Sequence, residues 1–227
     1  QVDIPAGETG WNGLVAIPVG RDAGVSGLPA GASLGDAAIM HGVKVAPLTI
    51  PSDPARRLRA DVALDFTATA AATARTERTV LAASFARLLE SQTVNGAEVR
   101  GQYDETPGTY LMICASAAGV TEAVAPLAAW RRQQGYNVQV VTTVTTGGTT
   151  SAIKNYIQGV YDTAEQPLAY IVLVGDATGT VSVPTWHETV SGYYGEGDHE
   201  YTRLDGTDIL ADAHIGRLSA RSVSELE

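Results

Sequence analysis

Cysteine, phenylalanine and clustered positive charge are what this chain has least of. One cysteine, Cys114, stands in 227 residues, so no internal disulfide can form and cysteine usage does not fix the redox compartment. Aromatic residues make up 6% and two of them are Phe, which leaves Ala, Val, Leu and Ile to supply most of any core. Fifteen basic residues against 25 acidic ones give a formal net charge of −10, and Arg56-Arg57-Arg59 is the densest basic group. Binding nucleic acid by counterion release needs a basic face, so the charge disfavours a nucleic-acid partner and none is expected. No apolar run approaches the roughly 20 residues of a membrane-crossing helix. Gln1-Val2-Asp3-Ile4-Pro5 has neither the basic start nor the apolar core of a signal peptide, and a secreted chain whose leader has been removed would begin in this way. Also absent are the Gly-x-Ser-x-Gly of a nucleophile elbow, the Gly-x-Gly-x-x-Gly of a dinucleotide turn and a phosphate-binding Gly-Lys-Ser/Thr.

What is present changes character near residue 105. Residues 1–104 carry nine basic and eleven acidic side chains, whereas 105–227 carry six and fourteen. In the first part Leu58, Ala60, Val62, Leu64 and Phe66 alternate with Arg59, Asp61, Ala63 and Asp65, the period of a strand with one buried face. Apolar runs at Leu14–Val19 and Gly42–Ile50, set off by Gly and Pro, add further strands. Val80, Leu81, Ser84, Phe85, Leu88 and Leu89 then follow a helical period that Asn95-Gly96 ends. The expectation for 1–104 is a mostly β domain with one helix packed on its sheet.

In 105–227 strands and helices alternate, which argues for an α/β domain with a parallel sheet covered by helices. Strands are expected at 110–115, 137–143, 168–175 and 212–217, and helices at about 121–134 and 150–163. Pro126 lacks an N–H and would break an interior turn, so the regular part of the first helix is expected to begin near Val124. Gly135 supplies a helix stop, Thr149-Thr150-Ser151 supplies N-caps, and the Thr- and Gly-rich run Thr142–Ser151 reads as a loop.

Four segments in order carry a family resemblance: Tyr110-Leu111-Met112-Ile113-Cys114, Leu127-Ala128-Ala129-Trp130-Arg131-Arg132-Gln133-Gln134-Gly135-Tyr136, Tyr170-Ile171-Val172-Leu173-Val174-Gly175-Asp176, and Asp212-Ala213-His214-Ile215-Gly216-Arg217-Leu218-Ser219-Ala220. Together they resemble the start of the catalytic domain of gingipain-like cysteine endopeptidases, peptidase family C25. Arg57–Asn95 is similar to the end of the prosegment that precedes that domain. The resemblance implies a β-rich prodomain over 1–104, then the N-terminal part of a caspase-like, Rossmann-like α/β peptidase domain over 105–227. It also implies secretion, protein or peptide substrates, an intramolecular contact between prodomain and catalytic domain, and a nucleophilic Cys and general-base His that lie downstream of Glu227. On that reading the chain is a piece of a longer enzyme and is itself inactive.

No catalytic residue is assigned within the chain. Cys114 lies inside the apolar run Leu111–Ala115, where a small buried hydrophobe is the ordinary reading, and a catalytic thiol needs a His or an electropositive site beside it. His41, His187, His199 and His214 are isolated, without metal-ligand spacing. Between Glu196 and Asp212 six carboxylates face the single cation Arg203, half of the net charge in seventeen residues. Such a density must be solvated or bridged. Asp205-Gly206-Thr207-Asp208 with Asp212 has the oxygen-rich, Gly-turned character of a Ca²⁺ loop without the full spacing of an EF-hand, so a solvated loop and a bound Ca²⁺ both stay open. Asp176 ends a buried strand at the edge where α/β sites gather, and it reads either as a substrate-cleft residue or as a cap of the following turn.

Val94–Thr109, with Thr106-Pro107-Gly108 as a turn, reads as an exposed polar connector. Its one basic residue makes Arg100-Gly101 the candidate processing bond, against a connector that is never cut. A non-catalytic secreted binding or adhesion module is the alternative to a peptidase.

Overall fold

A computed structural model describes residues 1–68, 79–190 and 192–227. The chain divides into two compact units, one formed by Gln1–Thr79 and Phe85–Asp104 and the other by Val80–Ser84 and Glu105–Glu227.

The first unit is a set of short antiparallel ladders. Strands β1 (Val2–Ile4), β2 (Gly10–Ala16), β3 (Arg21–Ser26), β4 (Ser33–Leu34), β5 (Ala38–Met40), β6 (Val43–Pro51), β7 (Leu58–Ala60) and β8 (Ala63–Ala68) follow one another. The longest, β6, takes β2 on one side and β4 and β5 on the other. β1 pairs with β7, and β3 with β8. Ile4, Val15, Leu48 and Ile50 form the centre of a core, with Trp11, Leu64 and Phe66 packed around them. The alternation over 58–66, read as one strand, belongs to two: Asp61-Val62 separates β7 from β8, and each half pairs with a different partner.

Two helices complete this unit, α1 (Ala83–Gln92) and α2 (Gly96–Arg100). Phe85, Ala86 and Leu89 of α1 are buried, as the helical period requires. The helix is shorter at its start than that period implied, because Val80–Ala82 is a strand, β9. It also stops before Asn95, whose side chain does something else. Asn95 Oδ1 accepts from the Ala16 N–H and its Nδ2 donates to the Ala16 carbonyl, both at 2.8 Å, so the amide satisfies the β2 backbone as a neighbouring strand would. The expected open connector is thus folded over Gly96–Arg100, with Val99 fully buried.

In the second unit β9 pairs with β10 (Asp104–Thr106), and four parallel strands form the main sheet. These are β11 (Thr109–Cys114), β12 (Asn137–Thr142), β13 (Leu168–Val174) and β16 (His214–Leu218), in the order β12-β11-β13-β16. Helices α3 (Val120–Gln133), the single turn α4 (Thr143–Thr146) and α5 (Thr150–Thr163) lie in the crossovers, and the hairpin β14 (Trp186–Val190) and β15 (Tyr193–Gly197) lies between β13 and β16. All six residues of β11 are buried, which is why it reads as an unbroken apolar run. The α/β class and the parallel sheet are as expected, and the strands match the expected ranges to within about two residues.

Two local expectations are corrected. α3 runs through Pro126 instead of starting beside it, from a left-handed Gly119 (φ 90°). Val120, Val124 and Ala128 bury one stripe of the helix, while Pro126 and Glu122 are exposed, so the helical hydrogen bond that Pro126 cannot donate is missing on the solvent side. Thr143–Thr146, read as loop, makes one helical turn before Gly147 (φ 88°). Thr149 caps α5 as expected, its hydroxyl accepting from the Ala152 N–H at 3.2 Å.

Candidate functional site

From β11 the chain crosses to β12 on one side, and it later leaves β13 for β16 on the other. The crevice between the carboxyl ends of β11 and β13 is therefore the switch point where open α/β sheets place their ligand sites. β13 ends there in Gly175-Asp176. Gly175 has φ 134°, and a Cβ at this position would stand 3.0 Å from the Val181 carbonyl and 3.2 Å from the Ala115 Cβ, so the close approach needs glycine.

Asp176 is fixed by its backbone and by its carboxylate. Its N–H faces the Val181 and Ala220 carbonyls at 2.9 and 3.0 Å, and its own carbonyl accepts from Val183 at 2.9 Å. Oδ1 accepts from the Ala177 N–H at 2.8 Å, and Oδ2 accepts from Arg221 Nε at 3.0 Å. The Ala177 N–H first, and the Arg221 guanidinium second, hold the carboxyl below the usual Asp range. Asp176 thus performs the turn-capping role, at the edge where a substrate-cleft residue would also sit.

The residue that organises this edge is Arg217 of β16. Its Nη1 donates to the carbonyls of Val183 at 2.7 Å, Gly175 at 3.0 Å and Asp176 at 3.2 Å. Its Nε and Nη2 grip both oxygens of Asp198 at 2.9 and 2.7 Å, and Thr185 donates to the same carboxylate at 2.7 Å. Sequence reasoning did not single out this pair. An Arg within a strand was the available signal, since a charge on a largely buried sheet must find a counter-charge.

The acidic stretch is bridged piece by piece. Glu196 faces His187 at 3.3 Å, Asp198 holds Arg217, and Glu200 pairs with Arg203 at 2.7 Å. Arg203 also donates through Nε to the Asp208 carbonyl at 2.9 Å. Lys154 of α5 donates to the Glu200 carbonyl at 2.8 Å and to the Arg203 carbonyl; burial pulls its ammonium below the usual Lys range. Asp212, 1% exposed, accepts from the N–H groups of Leu204 at 2.8 Å and Asp205 at 2.7 Å through Oδ2. Asp205 accepts from Gly206 at 2.9 Å and Asp208 from Leu210 at 2.8 Å. Asp205, Asp208 and Asp212 therefore shape one loop. Among the described residues, no three His, Cys, Asp or Glu side chains are grouped so as to hold a metal ion.

Cys114 lies at the end of β11 with no exposure, and burial pushes its thiol up to about 11. Such burial disfavours the thiolate, the form in which a cysteine acts as a nucleophile. His214 packs on Tyr170 with ring centroids 5.0 Å apart, and burial holds it below the usual His range. Arg100 ends α2, its guanidinium paired with Glu90 of α1, and Gly101 is the C-cap.

Against this geometry, the model of peptidase family C25 matches residues 103–227, more than half of the chain. The chain belongs to peptidase family C25. The C25 match takes in the whole four-stranded sheet, the Arg217–Asp198 pair and the acidic loop. Among solved structures the chain is similar to the Arg-specific cysteine proteinase gingipain R, at 22% identity and a TM-score of 0.44. It is also similar to the complex of Porphyromonas gingivalis RgpB pro- and mature domains, at 23% identity and 0.44, and to a structure described as a protease, at 28% and 0.42. Each match covers 52% of this chain and 26% of the other, so this C25 chain spans about a quarter of the length of the solved chains it matches. No curated protein matches it.

Proposed function

We propose that this chain is the prosegment and first catalytic subdomain of a secreted C25 cysteine endopeptidase zymogen, and that it supplies scaffold instead of chemistry. The observation that carries the reading is the coincidence of the C25 match with the α/β unit, whose Cys114 is buried in the sheet with its thiol raised to about 11. In the parent enzyme a Cys thiolate would attack the scissile carbonyl of a protein or peptide, with a His as proton shuttle, and both groups would come from chain beyond Glu227. The contribution here is the switch-point edge: Gly175-Asp176, locked by Arg217 and Arg221, forms one wall of the cleft. Residues 1–104 act as the prodomain in intramolecular contact with the catalytic domain, and Arg100-Gly101 is the processing bond.

Ca²⁺ at Asp205, Asp208 and Asp212 belongs to the same proposal. It rests on the loop's charge density and its Gly-turned form; the three carboxylates are not grouped around one point, so binding would require them to converge and to exchange backbone N–H partners for the ion.

The 227-residue chain alone should hydrolyse no peptide bond. A fluorogenic peptide library checks this, and turnover that disappears in Cys114→Ala would overturn the scaffold reading.

A further inference from the structure

We infer that the Arg100–Gly101 bond is latched: Glu90 and Val99 hold it in folded helix α2, so that cleavage there requires residues 99–103 to unwind first. The inference rests on the reading of Arg100–Gly101 as the processing bond and names what regulates it.

The bond lies in hydrogen-bonded helical backbone. The Gly101 N–H donates to the Ala97 carbonyl at 3.3 Å, and the Gln102 N–H to the Val99 carbonyl at 3.0 Å. The Tyr103 N–H donates to the Arg100 carbonyl at 3.1 Å, so the carbonyl that a peptidase must attack is already an acceptor within a turn. A peptidase takes its substrate as an extended strand, and Gly101 at φ −63°, ψ −7° is helical. The Arg100 side chain, which would have to enter a specificity pocket, is held by the Glu90 carboxylate, with 30% and 45% of the two side chains exposed.

Both ends of α2 are anchored. Val99 is fully buried. Before the helix, Asn95 clamps Ala16 through two hydrogen bonds, and the Val94 N–H donates to the Leu14 carbonyl at 2.8 Å. Presenting Arg100 in extended form breaks the turn bonds at 101–103, the Glu90 pair and the burial of Val99 together. Cleavage then proceeds from the open form, at a rate set by the opening equilibrium multiplied by the intrinsic rate of cutting.

Trypsin at low concentration under native conditions tests the latch, scored by mass spectrometry as the initial rate of the fragment that begins at Gly101. The reference is an unstructured peptide of the sequence 94–109. The bond in the folded chain should be cut at least about tenfold more slowly than in the peptide, with Glu90→Gln raising the rate about two- to fivefold and Val99→Ala tenfold or more. Glu90→Gln is a surface change, so it keeps the test valid if Val99→Ala fails to fold. Cutting of the wild-type chain at the peptide's rate, or a Glu90→Gln rate equal to wild type, overturns the latch. The processing assignment fails separately: a mature protein recovered from its producing cell with an N-terminus far from Gly101 removes the assignment and leaves the measured latch standing.

Discussion

Arg217 and Asp198 face each other as a fork on a carboxylate, Nε to Oδ2 at 2.9 Å and Nη2 to Oδ1 at 2.7 Å, from positions nineteen residues apart. Nη1 is shared among three carbonyls of the 175–183 loop, so one side chain ties the end of β13, Val183 and Asp198, the residue after β15, to β16. The two side chains are 11% and 20% exposed, which removes most of the screening that weakens surface pairs.

Arg217→Ala leaves Asp198 without its counter-charge, with Thr185 alone donating to it, and removes the guanidinium from the Gly175, Asp176 and Val183 carbonyls. We expect a loss of about 3 kcal/mol, the lower end of what breaking a buried pair costs. Arg217→Lys should recover little of it, since a single ammonium cannot span the carboxylate and the carbonyls together. Chemical denaturation monitored at the α/β unit gives the values, and hydrogen exchange over 175–185 should rise in both variants.

If Ca²⁺ binds the loop of Asp205, Asp208 and Asp212, the folded state gains stability in proportion to occupancy, about 2.7 kcal/mol at a hundredfold excess over the dissociation constant. Adding a chelator should then lower the melting temperature, and Asp208→Asn should abolish the shift. Calorimetric titration without heat, together with unchanged melting, removes the ion from the account.

His214 predicts a pH dependence. Burial depresses its folded pKa, so the folded state prefers the neutral ring. That preference has no effect above the unfolded value of about 6.5, and stability is lost as pH falls from there towards the folded pKa. His214→Phe keeps a ring against Tyr170 and removes the titration, so its melting temperature should fall less between pH 7.5 and 5.5 than that of the wild type. Equal falls in both would contradict the placement.

The second unit was largely legible because its two central strands, β11 and β13, are buried on both faces and spell themselves as apolar runs, Tyr110–Cys114 and Leu168–Val174. Pro126 misled because a local rule was applied where a buried stripe of Val120, Val124 and Ala128 decides the helix. The first unit was less legible. β4, β5 and β7 are two or three residues long, below the length at which a period can be counted, and Asp61-Val62 hides a break inside a regular alternation. At the site, Asp176 was found from its strand end, but Arg217–Asp198 was not, since nothing local tells a strand Arg which of fourteen carboxylates in residues 105–227 it will meet.

The proposed function puts the thiol chemistry of this family member outside Cys114. The most direct measurement is hydrolysis of a fluorogenic peptide library by the full product of the gene, wild type and Cys114→Ala, with and without a thiol-alkylating reagent. Turnover should be abolished by alkylation and stay within about twofold of wild type in Cys114→Ala, the change itself costing only core packing. Turnover that vanishes in Cys114→Ala while the variant remains folded, or turnover that alkylation does not touch, contradicts it.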